Sequence, residues 1–103
     1  MNKIILSLCL MALIIACGGK QNNVANAKVD GEAIYKKYCA VCHGTDGKLG
    51  LNGSKDITIS ILTEAERVEQ ITHGKNTMTP FEGILSDEEI KAVAAYSMTL
   101  TKI

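Results

Sequence analysis

Cys39-Ala40-Val41-Cys42-His43 limits what this chain can become more than any other stretch. Two thiols three positions apart, at the end of a helical turn, can each add to a vinyl group of a haem. The adjoining histidine then lies under the ring, within reach of iron. C-x-x-C-H is the attachment signature of a c-type haem. Two other chemistries use paired cysteines. A zinc site needs four ligands. Only Cys39, Cys42, His43 and the distant His73 could supply them, once Cys9 and Cys17 are assigned as below. A thioredoxin-like dithiol also uses C-x-x-C, but in a βαβ setting, and no strand-rich pattern surrounds these residues. The zinc and dithiol readings stay open here beside the haem reading.

The periodicity around the motif predicts an all-α fold of about three helices. Asp30 is placed to cap the first. Ala33, Ile34, Tyr38 and Val41 then recur at three- and four-residue steps, which predicts one inward face. Gly44 to Asp56 holds Gly44, Gly47, Gly50 and Gly53, and so reads as a loop with special backbone angles. It lacks the G-K-[ST] ending of a phosphate-binding loop. Thr63-Glu64-Ala65-Glu66 is a capping box that opens the second helix. Ala65, Val68 and Ile71 face inward in this reading, and Gly74 follows as C-cap. Lys75 to Gly83 has no periodicity. Ser86-Asp87-Glu88-Glu89 is a second capping box, with Leu85 and Ile90 spaced for a hydrophobic staple. Val93, Tyr96 and Leu100 continue the third helix as a core stripe.

Three stretches together resemble the class I cytochrome c family. Gly31 to Gly44, with Cys39-Ala40-Val41-Cys42-His43 near its end, is similar to the opening of that domain. Thr77-Met78-Thr79-Pro80-Phe81 resembles its distal methionine loop, and Leu85-Ser86-Asp87-Glu88-Glu89-Ile90, running on to Tyr96, its closing helix. The resemblance covers Val29 to the C-terminus. It implies one haem c bound covalently through Cys39 and Cys42, with His43 and Met78 as the iron's axial ligands. Methionine with histidine raises the reduction potential. His73 and Met98 are the alternative distal ligands. The resemblance also implies that Gly31 lets the first and last helices cross closely beside Tyr35 and Tyr96. The chain departs from the family twice. Lys55 stands where a proline carbonyl commonly receives the proximal histidine's N–H, and Thr79 separates Met78 from Pro80.

The N-terminus reads as an export signal. Met1-Asn2-Lys3 is followed by an apolar run from Ile4 to Ala16 broken only by Ser7. It is too short for an ordinary transmembrane helix, which needs ~20 apolar residues. Ile14-Ile15-Ala16-Cys17-Gly18 resembles a bacterial lipoprotein signal, which implies removal of residues 1–16 and a lipid on Cys17. The alternatives are an ordinary secretory signal or a short uncleaved anchor. Residues 17–28 then form a flexible tether with a span of roughly 20 Å, and 29–103 form the domain. Cys9 would leave with the signal, so no cysteine pair remains for a structural disulfide.

The chain carries 11 basic and 11 acidic residues, which gives no reason to expect nucleic acid as a partner. From Lys28 onward there are nine basic and eleven acidic residues, a net of −2 (9 − 11). Lys36, Lys37, Lys48 and Lys55 cluster in sequence near the attachment motif, where they could steer an acidic partner. A domain of about 75 residues buries little apolar surface alone and usually needs a staple, which a haem would provide. These readings converge on a membrane-tethered, monomeric electron carrier outside the cytoplasm, exchanging single electrons with redox protein partners. A peroxidase-like or gas-sensing haem protein with a labile distal site is the alternative.

Overall fold

The computed structural model describes residues 28–102. The expected signal at 1–16, the lipidation site Cys17 and all of the tether except Lys28 lie outside the described residues.

The fold is all-helical, and three helical passages make it. The first begins at α1, Gly31–Ile34, where the Asp30 carboxylate accepts the Ala33 N–H at 3.1 Å. It continues without a break through a π-helical turn, Tyr35–Cys39, into α2, Ala40–His43. In the π turn the Ala40 N–H reaches back five residues to the Tyr35 carbonyl. That wider turn corrects the expected inward face. A 3.6-residue count carried through it lands on the wrong side. Val41, beyond the turn, is 65 % exposed, while Ile34 and Tyr35 are buried; Ala33, before the turn, is exposed as well.

The other two helices start as their capping boxes dictate. In α3, Glu64–His73, the Thr63 N–H donates to the Glu66 carboxylate at 2.7 Å, and the Glu66 N–H to the Thr63 hydroxyl at 3.2 Å. In α4, Asp87–Leu100, Ser86 and Glu89 exchange the same bonds at 3.0 and 3.1 Å. Leu85 and Ile90 are both buried, as a staple requires. Ile71 is buried and Val68 half-buried, but Ala65 is exposed.

The first and last helices cross at Gly31. A Cβ at this position would overlap the Ala92 carbonyl oxygen. The Tyr35 and Tyr96 rings sit beside the crossing, 5.3 Å apart and tilted by 54°. Helix α4 also packs along α3. The core is Ile34, Tyr35, Ile71, Phe81, Leu85, Ile90, Val93 and Ala94. Among the described residues there is no β-strand, and no helix is long and apolar enough to cross a membrane. After α4 the chain is fastened back onto a 3-10 turn, Ile57–Ile59. The Lys102 N–H donates to the Thr58 carbonyl at 2.8 Å, and the Thr101 hydroxyl to the Ile57 carbonyl at 3.0 Å.

Candidate functional site

His43 is the last residue of α2, and Gly44 ends that helix at φ +78°. Two bonds hold the bend. The Gly44 N–H donates to the Ala40 carbonyl at 2.8 Å, and the buried Tyr35 hydroxyl donates to the Gly44 carbonyl at 2.6 Å. The chain then loops round so that the Lys55 carbonyl lies 3.0 Å from His43 Nδ1. A carbonyl only accepts, so Nδ1 carries the proton and Nε2 keeps its lone pair free for a metal. Lys55 thus supplies the carbonyl at the place where the resemblance implies a proline.

Met78 is held from both ends of its loop. On one side Gly74, at φ +67°, ends α3, and a Cβ there would press on the Met78 carbonyl and come within 2.8 Å of the Pro80 nitrogen. On the other side the Phe81 and Glu82 N–H groups donate to the Ile71 and Thr72 carbonyls of α3 at 2.9 and 3.1 Å. Inside the loop the Met78 N–H bonds the Lys75 carbonyl at 2.9 Å. The Thr77 hydroxyl crosses to the Asn52 carbonyl at 3.0 Å. Gln70 on α3 brings its Nε2 to 3.9 Å from the Met78 sulfur, a weak N–H···S contact. Thr79 and Pro80 are exposed and leave this geometry intact.

Cys39, His43 and Met78 line one cavity of about 500 Å³. Cys42, half-buried, precedes His43 in α2 and does not line it. Neither do His73 and Met98. His73 sits exposed at the end of α3, its ring nitrogens 3.4 Å from Glu69 and 4.0 Å from Glu82. Met98 is half-buried on α4. The cavity walls include Ile57, Ile59, Ile61, Leu62, Ile71 and Val93. Ile61 is 86 % exposed and Ile59 64 %, so broad apolar surface faces the cavity.

These features decide between the chemistries the motif allows. Burial pushes the Cys39 thiol up to about 11. A redox dithiol needs a depressed thiol pKa, and there is no βαβ unit among the described residues. No group of three or more His, Cys, Asp and Glu side chains among them is arranged to hold a metal ion. A haem fits instead. The volume is in the cofactor range, the walls are apolar, an imidazole and a thioether share the cavity, and Cys39 lines it too.

Three participants are not announced by any motif. The Thr77–Asn52 bond joins residues 25 apart, and the only local hint is Asn52-Gly53, a turn dipeptide. Gln70 lies on a helix with nothing in its neighbours to mark which way it faces. Arg67, one basic residue among nine, is buried against the cavity.

Comparison with known proteins points the same way. Residues 26–96 match the family described as cytochrome C oxidase, cbb3-type, subunit III. A cytochrome c6 of Thermosynechococcus vestitus is 30 % identical over 102 residues, which span 93 % of this chain and 90 % of that protein. A dihydro-heme d1 dehydrogenase of Pseudomonas aeruginosa is 39 % identical over 70 residues, which are 64 % of this chain but only 14 % of that protein. Among solved structures, the KustC0563 c-type cytochrome superposes with a TM-score of 0.64 at 30 % identity, covering 72 % of this chain and all of its own.

Proposed function

The chain belongs to the cytochrome c family, as a monohaem electron carrier with one covalently attached haem c, and on that premise we propose which residues hold the haem and how the carrier is deployed. Cys39 and Cys42 form the thioether links. His43 and Met78 would hold the haem's iron. The observation that carries this assignment is the cavity shared by Cys39, His43 and Met78, with His43 Nδ1 already engaged by the Lys55 carbonyl at 3.0 Å.

When bound, haem c supplies a one-electron ferrous–ferric couple. The chain's own residues decide how that couple is used. The Lys55 carbonyl fixes the His43 ring and raises its basicity. The Met78 thioether is a soft donor that favours the reduced state. With His43 and Met78 both holding the metal, no site for a substrate would remain on it, and the protein would carry electrons rather than transform a ligand. Gln70 makes only a weak N–H contact with the Met78 sulfur, at 3.9 Å.

The carrier is tethered. The Ile-Ile-Ala-Cys-Gly stretch at residues 14–18 supports lipidation of Cys17 after removal of 1–16. A bacterial lipid anchor with several acyl chains holds stably where one chain would not. The domain therefore works outside the cytoplasm as a monomer at a membrane surface, between a protein donor and a protein acceptor. Lys48 and Lys55, both exposed, are available to steer such partners, while Lys36 is engaged by Glu32 at 2.9 Å and Lys37 lies over the Tyr38 ring at 5.2 Å.

Ligand replacement tests the assignment. The oxidised wild type should show the far-red sulfur-to-iron band, and the reduced wild type should not bind carbon monoxide. Met78→Ala should lose the band and bind carbon monoxide readily. A wild type that binds carbon monoxide quickly has an open distal site and is not a simple carrier. Loss of the band in His73→Ala or Met98→Ala, but not in Met78→Ala, would move the ligand. Cys17→Ser should release the domain from membranes, and a variant that stays bound with an unprocessed N-terminus would mark an uncleaved anchor.

A further inference from the structure

Arg67 is 5 % exposed, and it lines the cavity shared by Cys39, His43 and Met78. Its guanidinium is fastened from three directions. Nε donates to the Leu62 carbonyl at 3.2 Å. One terminal nitrogen donates to the Ser97 carbonyl at 2.9 Å and the Ser97 hydroxyl at 3.1 Å. The other donates to the Thr101 hydroxyl at 2.8 Å and the Ser60 carbonyl at 3.4 Å. Every acceptor is neutral. None of the ion pairs among the described residues includes Arg67.

A guanidinium stays protonated in proteins, so a whole positive charge is kept inside with no carboxylate of the described residues against it. Burial lowers its pKa, as desolvation must. The hydrogen bonds offset the cost of desolvation but leave the charge in place. An apolar side chain of similar length would fill the same space, and burying ions is seldom the better route to stability. The acceptors come from the 60–62 loop, α4 and the residue after it, so the group cannot swing out to water. Its field falls on whatever changes charge in the cavity.

We propose that Arg67 is the residue that sets the haem's reduction potential upward, as a fixed cation whose field disfavours the extra positive charge of ferric iron. This rests on the assignment of the haem to Cys39, Cys42 and His43. Two charges of like sign interact strongly where the dielectric is low, and salt screens a buried pair poorly.

Spectroelectrochemical titration of the haem-loaded domain tests this with three variants. R67Q and R67M remove the charge, the first keeping a polar head and the second an apolar one. R67K keeps the charge but cannot fill the fork of five donors. R67Q and R67M should each weaken reduction at least tenfold against a common partner, which is ~59 mV for one electron. The drop should persist at high salt. R67K should lose thermal stability yet keep most of the wild-type potential, an outcome that a purely structural role does not give. An unchanged potential in R67Q or R67M overturns the proposal, and so does a drop in R67K as large as theirs. Haemochrome yield and the far-red band report separately on haem attachment and Met78 ligation. Their absence in the wild type would sink the site assignment, whereas their presence with an unmoved potential would sink only the role of Arg67.

Discussion

Gly31→Ala should weaken the domain sharply although it adds only one methyl group. The added Cβ would overlap the Ala92 carbonyl oxygen, lie 2.7 Å from the Ala92 carbonyl carbon and 3.2 Å from Tyr96 Cβ. Two of those atoms are backbone, so no rotamer change relieves the clash. The helices must part by roughly an ångström to restore ordinary contact. The seam they would open holds Tyr35 and Val93, each 1 % exposed. Overpacking of this kind costs about 1–3 kcal/mol, and an immovable neighbour puts it at the upper end. Alanine recovers roughly 0.5–1 kcal/mol through its helix preference. A net loss of about 2 kcal/mol follows, against a total of roughly 4–11 kcal/mol for a domain of about 75 residues. The melting temperature should fall by about 8–16 °C. Guanidinium chloride titration followed by far-ultraviolet circular dichroism gives the free energy directly. A variant as stable as wild type would show that the crossing is loose enough to admit a side chain, and the account of Gly31 would fail.

Lys55→Pro should be tolerated and should stabilise the domain by about 0.4–1 kcal/mol through a stiffer unfolded chain. Ser54 already has φ −56° and ψ 136°, which suit a residue before proline. The Lys55 N–H donates to no backbone acceptor among the described residues, while its carbonyl, the part that meets His43, is unchanged. A lowered denaturation midpoint or an altered Soret spectrum would contradict this. Asp56 governs an acid limb. Its carboxylate accepts the Thr58 hydroxyl at 2.6 Å and the Thr58 N–H at 2.8 Å, and the hydroxyl bond holds its pKa below the usual carboxylate range. A depressed folded pKa contributes stability that is present above the unfolded value, ~3.9, and is lost as pH falls through the folded value. Asp56→Asn should therefore be less stable than wild type at neutral pH, and the two should converge as pH falls below ~3.9. A gap of constant size across that range would show that the charge contributes nothing.

Features written within five residues of each other are legible in the amino-acid sequence alone. Both capping boxes, the Asp30 cap and the Leu85–Ile90 staple form as expected, because each depends on one turn of helix and two side chains. The crossing at Gly31 and the carbonyl at Lys55 are legible only through resemblance to a family, since each joins positions far apart in the chain. Helical periodicity places Val41 on the wrong side because nothing local announces a π turn. Arg67 is unreadable for a related reason. Its acceptors at 60, 62, 97 and 101 come together only when α4 lies across α3. Charge predicts exposure in general, and only the assembled neighbourhood reverses it.

The meeting of Gly31 with Ala92 imposes a schedule on the newborn chain. Their contact closes a loop of 61 residues (92 − 31), at an entropy cost of roughly 3.6 kcal/mol before any constant is added. A helix of 13 residues such as 31–43 is marginal in water by itself. Tyr35 therefore lacks the Tyr96 ring it packs beside until the later turns of α4 have been synthesised. During that interval Cys39 and Cys42 sit on an open stretch of chain, with both thiols accessible. Once α4 arrives the crossing shuts, and Cys39 is drawn inside with it.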